Sequence, residues 1–279
     1  MNWPRIKWLL IVMLLLGNLV LAGFYLTRRA ESVRDDEQAL NTLRDVLAER
    51  GVSLTPEVMA QLFTDARRLY APRDQDREAG LADALLGQTT RSDLGGRIFA
   101  YDSSSGWAQF RSGGQFEVMW TAPRQTEGSP ENDAALLLRA AGFPDDTPPE
   151  VRQSDDGTTV TLYQSWDGLP VFDGKAQLSY DAGGTLTALS GQWLWGDPLP
   201  AGDEMPCPVL ATTLLRFSGA QRSAGTPVST IQKAQLGYFI SAGPSEYICL
   251  TPVWRLTADG RVMYADAETG APVAPANSG

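Results

Sequence analysis

The sequence predicts an α+β protein: a single N-terminal transmembrane helix followed by an ectodomain of antiparallel β-meanders, each with a helix packed on one face. Three observations predict it. Residues 8–26 read WLLIVMLLLGNLVLAGFYL, nineteen positions without a charge, eight of them Leu. From Gly96 onward, apolar and polar residues alternate in short runs split by Asp, Ser and Gly, the pattern of half-buried strands. Each group of such runs follows a stretch with helical spacing and an N-terminal capping signal.

The apolar run comes first. At about 1.5 Å per residue it spans roughly 28 Å, close to the hydrocarbon thickness of a bilayer. Trp3, Trp8 and Tyr25 lie where aromatic rings favour the membrane interface. A signal peptide is the rival reading, with Arg5 and Lys7 as its basic region and Val20-Leu21-Ala22 as a cleavage site. The run is longer than the usual apolar region of about 7–15 residues and stops only at Arg28 and Arg29, so an anchor is predicted. Residues 1–7 then form a cytoplasmic tail, 8–26 cross the cell membrane once, and the rest is extracytoplasmic. Asn18 is the polar side chain near the middle of the span, beside Gly17. An amide in hydrocarbon seeks a partner and a glycine permits close approach, so Gly17 and Asn18 are candidate contacts with another membrane helix or within an oligomer.

Beyond the anchor, Val33, Leu40, Leu43, Val46 and Leu47 recur at helical spacing until Gly51. Thr55-Pro56-Glu57 opens a second helix, predicted to run to about Tyr70. Residues 71–95 are polar with scattered glycine and read as a loop. Strands are predicted at 97–101, 106–111 and 115–120. Ser129-Pro130 caps a helix ending at Gly142. Strands at 158–166 and 169–180 flank Asp167-Gly168, a hairpin signal, and a third covers 185–194. Pro206 opens a helix carrying Val209, Leu210, Leu214 and Phe217. Strands follow at about 230–240, 246–257 and 261–266, with Asp259-Gly260 as the last turn. Helix-then-meander therefore recurs, in units at 27–125, 126–200 and 201–279.

Composition narrows the chemistry. The chain has no histidine, which excludes a Ser-His-Asp triad, a Cys-His dyad and His-ligated metals. Neither GxGxxG nor GxxxxGK[ST] occurs, so no nucleotide cofactor is expected. Asp145-Asp146 and Asp155-Asp156 are paired acids, but they sit in turn-like stretches where Asp is favoured anyway. No catalysis, cofactor or metal is expected. All 33 acids and 19 of the 23 basic residues lie beyond residue 30, giving that part a formal charge of −14, which repels nucleic acid and anionic lipid. Cys207 and Cys249 are either one disulfide, worth about 3–4 kcal/mol, or two buried thiols. Trp193 and Trp195 share a face by period two, an interface if exposed and a core if covered by a helix.

Met1-Asn2-Trp3-Pro4-Arg5-Ile6-Lys7 running into a single span resembles the opening of YycI proteins in the YycH/YycI two-component regulatory family, Asn2 being a departure. Leu250-Thr251-Pro252-Val253-Trp254-Arg255 and Tyr264-Ala265-Asp266-Ala267-Glu268-Thr269-Gly270 are similar to that family's closing strands. The resemblance implies a regulatory subunit that restrains a sensor histidine kinase governing cell-wall homeostasis, in protein–protein assembly with a YycH-like partner. The Asp-Ala-x-Thr-Gly stretch also resembles PepSY modules, which would imply a protease inhibitor or propeptide-type binding module. By itself it reads as a strand entering an Asx-type turn, with Gly270 at positive φ.

Overall fold

The computed structural model describes residues 42–275 except 63, 65–66, 127, 145–146, 201–206, 208 and 244–246. The expected span at 8–26, with Gly17 and Asn18, lies outside them, as does the pair Asp145-Asp146. Among the described residues no helix is long and apolar enough to cross a membrane.

Two helix-on-sheet layers make up the described residues. Residues 42–49 form helix α1, followed by β1 (Ser53–Leu54), a single turn α2 (Pro56–Met59) and β2 (Leu69–Pro72). The long helix expected from Thr55 to Tyr70 is therefore corrected. Leu69 and Ala71 are both buried, a period of two, because a partner strand pairs with this segment. The loop expected at 71–95 is corrected too, since it contains helix α3 (Gln75–Leu86). Asp74 caps it, its carboxylate accepting from the Arg77 backbone N–H at 2.9 Å. Leu81, Ala82, Leu85 and Leu86 form a buried stripe, while charged residues fill the outer side and mask the pattern.

The first layer then follows with β3 (Thr90–Asp93), β4 (Phe99–Ser103), β5 (Gly106–Phe110), a 3₁₀ turn at Ser112–Gly114 and β6 (Gln115–Gln125). Helix α4 (Pro130–Ala140) starts as expected, the Ser129 hydroxyl accepting from the Asn132 N–H at 3.3 Å. Next come β7 (Glu150–Ser154), β8 (Gly157–Trp166), β9 (Leu169–Asp181) and β10 (Thr185–Gln192). Asp167 and Gly168 both take positive φ, +49° and +75°, as a tight two-residue hairpin requires. β10 pairs with β6 as well as with β9. Strands from the first two expected units thus share one antiparallel sheet, β3-β4-β5-β6-β10-β9-β8-β7. Joining β6 to β10 satisfies two edges that separate meanders would leave open. Helices α3 and α4 cover one face. Beneath them runs a row in register, Tyr101, Ala108, Val118, Leu189, Leu178 and Val160, all buried.

The second layer is assembled from both ends of the described chain. After β11 (Leu199–Pro200), helix α5 (Leu210–Ser223) leads to β12 (Thr230–Ala242), β13 (Tyr247–Ala258), β14 (Arg261–Asp266) and β15 (Pro272–Val273). β2 pairs with the first half of β13 and β14 with the second half, while β1 joins β12 in parallel. Leu43 and Leu47 of α1 and Leu210, Leu214 and Phe217 of α5 pack on Ile231, Leu236, Trp254 and Leu256. The two sheets meet where β12 runs parallel to β9, Tyr238 opposite Val171.

Candidate interaction surface

Strand alternation gives the eight-stranded sheet a second face. One row in register crosses all its strands: Thr90, Asp102, Trp107, Met119, Ala188, Ser179, Thr159 and Arg152. The next contains Gln109, Glu117, Ser190, Gln177, Thr161 and Glu150. Both helices of this layer lie on the apolar side, so among the described residues these polar rows are exposed or half-buried, apart from Thr161, which is 8% exposed. Trp107 is 39% exposed and Tyr163 41%. At the β7 edge, hydrogen bonds from Arg152 and then from Tyr163 hold the Glu150 carboxyl below its usual range. Small side chains, amides and two partly exposed aromatic rings make a flat surface that can meet another protein by packing and hydrogen bonding.

A second concentration of polar groups lies at the seam between the sheets. Asp173 is 4% exposed and Gln192 2%. Both reach Ile240 on β12: Asp173 Oδ1 accepts from its backbone N–H at 2.9 Å, and Gln192 Nε2 donates to its carbonyl at 3.3 Å. Gln164 does the same for Leu194, donating to its carbonyl at 2.8 Å and accepting from its N–H at 3.0 Å. Side-chain carboxylates and amides here stand in for a neighbouring strand's backbone. Burial pushes the Asp173 carboxyl up to about 6, against the lowering effect of the Ile240 N–H and its own backbone N–H. Beside the seam, Arg73 and Glu78 form a buried two-bond ion pair, 2.7 and 2.9 Å, with Arg73 also donating to the Arg97 carbonyl. Burial raises the Glu78 carboxyl, outweighing Arg73. The cleft here, lined by Arg73, Arg97, Phe99, Ser112, Gly113 and Tyr247, has room for a water-sized guest, about 20 Å³.

The residues nominated from sequence are dispersed. No disulfide joins Cys207 and Cys249, both of which are buried. Cys207 belongs to the second-layer core, whereas Cys249 lies opposite Tyr70 on the strand pair β2–β13. Of the two alternatives, the buried-thiol one describes both in this structure. Asp155 and Asp156 are exposed in the turn between β7 and β8. Trp193 and Trp195 are buried with Phe143, ring centroids 4.9 and 4.8 Å away, so they belong to the core and not to an interface. Asp266 Oδ1 accepts from the N–H groups of Glu268 and Thr269 and from the Thr269 hydroxyl, and Gly270 has φ +72°. A Cβ at Gly270 would come within 2.4 Å of Arg216 on α5, so the glycine serves close packing as well as the turn. Sequence reasoning missed Asp173, Gln192, Gln164 and the Arg73–Glu78 pair. The available signal was an acid inside an otherwise apolar strand, Val171-Phe172-Asp173-Gly174.

No family model and no curated protein matches the chain. Among solved structures, an uncharacterised protein from Eubacterium rectale is similar at 12% identity and a TM-score of 0.41, covering 76% of this chain and 86% of its own. The C-terminal domain of YpeB from Bacillus megaterium is similar at 11% identity and a TM-score of 0.34, covering 72% and 96%.

Proposed function

We propose that the protein is a membrane-anchored extracytoplasmic regulatory subunit. In this reading it restrains a sensor histidine kinase of cell-wall homeostasis by assembling with a YycH-like partner. The observation that carries the reading is the pairing of the Met1–Lys7 opening and charge-free run at 8–26 with the closing stretch 250–270. The flat polar face of the first sheet supports it, since assembly without chemistry needs a surface and not a cleft. A second reading, a PepSY-type inhibitor, is favoured by the Asp266–Gly270 turn that follows β14.

Co-purification from membranes tests both readings. Three forms are compared: the native chain, one whose residues 1–29 are replaced by an unrelated anchor, and one carrying Trp107→Arg with Thr159→Arg on the open sheet face. Recovery of a histidine kinase and a YycH-like protein by the native chain supports regulation. Loss on the anchor swap assigns the contact to the span and Asn18, and loss on the double arginine substitution assigns it to the sheet. Capture of a peptidase with no kinase sinks the regulatory reading in favour of the inhibitor.

A further inference from the structure

The end of β12 is held in an unusual way. Past Tyr238, where the two sheets share a backbone pairing, Ile240 turns its N–H and carbonyl toward the first sheet and finds side chains there, Asp173 and Gln192. The Gln192 amide has a fixed orientation. Its Nε2 donates to both the Ile240 carbonyl and the Gly113 carbonyl, at 3.3 and 2.9 Å, so reversing the amide would set an oxygen against two acceptors. Gln192 Oε1 is consequently buried with no hydrogen-bond donor. Gln192 and Asp173 meet at this one residue, the amide on the Ile240 carbonyl and the carboxyl on the Ile240 N–H.

We propose that this seam is a proton-gated joint, tight when Asp173 is a neutral carboxylic acid and looser when it is ionised. The acid form keeps one oxygen for the Ile240 N–H and offers an O–H that the orphaned Gln192 Oε1 can accept. The carboxylate form places a charge and surplus acceptors beside an unsatisfied acceptor in a site shut off from water. The charged and titratable groups on the packed strands are Lys175, Tyr180 and Asp181 on β9, Tyr163 on β8, and Lys233 and Tyr238 on β12. β10 and the Ser112–Gly114 turn carry none. None of them acts on the Asp173 carboxyl, whose shift comes from burial and backbone N–H groups alone. A proton therefore has no competing ion pair to break.

The magnitude follows from linkage. A carboxyl that titrates near 6 in the closed seam and near 3.8 once solvated favours opening increasingly as pH rises between those values, and not further above 6. The opening equilibrium should grow about fiftyfold between pH 4 and 7.5. Hydrogen exchange of the full chain reads this directly, in peptides covering 236–243 and corrected for the intrinsic pH dependence of exchange. The wild type is expected to lose protection by tens of fold over that range. The Asp173→Asn variant, permanently neutral and still able to accept from Ile240, is expected to change less than about threefold and to keep the low-pH protection throughout. Equal pH dependence in both forms, or none in the wild type, overturns the proposal. Should the variant not fold, carbon-13 titration of the wild-type Asp173 carboxyl decides instead. A midpoint near 6 that falls on Gln192→Met supports the joint, and a midpoint below about 4.5 refutes it.

Discussion

The two layers share an architecture, helices on one face of a sheet, and differ in where their residues come from. The first layer's core runs from Leu81 to Trp195 without a break in chain order, and its strand pairings join near neighbours except for β6 with β10. The second layer's core takes Leu43, Leu47, Val52, Val58 and Leu62 from one end and Cys207 to Ala267 from the other. Ser53 pairs with Thr230, and Tyr70 with Cys249. The first layer can therefore form from local hairpins, whereas the second must close a loop that contains the whole first layer, and loop closure carries an entropy cost.

The comparison is broken most severely by deletion. Removing residues 42–72 strips the second core of five large apolar side chains and takes β2 from its sheet. At about 1.5–3 kcal/mol per buried side chain, the loss rivals the 5–15 kcal/mol that typically holds a domain. The second layer should unfold while the first keeps a cooperative melt, visible as one surviving transition by calorimetry. Loss of both transitions would show that the layers stand or fall together.

Next in size is Glu78→Ala. It leaves the Arg73 guanidinium, 4% exposed at its side chain, without its carboxylate and should destabilise the first layer by about 3–5 kcal/mol in urea titration. Replacing both partners by Met should recover most of that loss, because the cost comes from the uncompensated charge.

The seam sharpens the comparison, since it joins the layers. The Asp173 carboxyl is raised in the folded state, so folding favours its protonated form. Stability from this group is full below pH 3.8 and is lost as pH climbs to about 6. At pH 7.5 the ionised group costs up to about 3 kcal/mol. Asp173→Asn should gain up to that amount at pH 7.5 and nothing at pH 3.5, as followed by thermal melts across pH. The smallest effect is expected at the cap of α4. Ser129→Ala removes the acceptor for the Asn132 N–H and should cost about 1 kcal/mol, confined to the first layer.

Legibility in the sequence follows the same division. The meander from Phe99 to Trp120, the Asp167-Gly168 and Asp259-Gly260 hairpins and helix α4 were readable because each depends on residues within a few positions of one another. Helix α3 was obscured by Asp76, Arg77, Glu78 and Gly80, although Asp74 and Gly87 supplied its ends. β2 was unreadable as a strand because its partner lies some 180 residues away. Of the candidate surface, the alternation that creates a polar face was visible strand by strand. Which strands share that face was not.

Alternation, capping residues and Asx-Gly turns act over one to four residues, so the chain by itself determined α4, α5 and the long strands β8–β10 and β12–β14, but not β7, β11 or β15. It also determined the absence of histidine chemistry. Only tertiary structure decided that β6 and β10 fuse two meanders into one sheet. It also decided that Trp193 and Trp195 turn inward, that the two thiols are buried, and that Asp173 ends up shut away from water beside Ile240. Each of these depends on which distant segment covers a given face. Burial, the quantity that sets packing and proton affinity alike, belongs to the assembled fold and not to any local stretch.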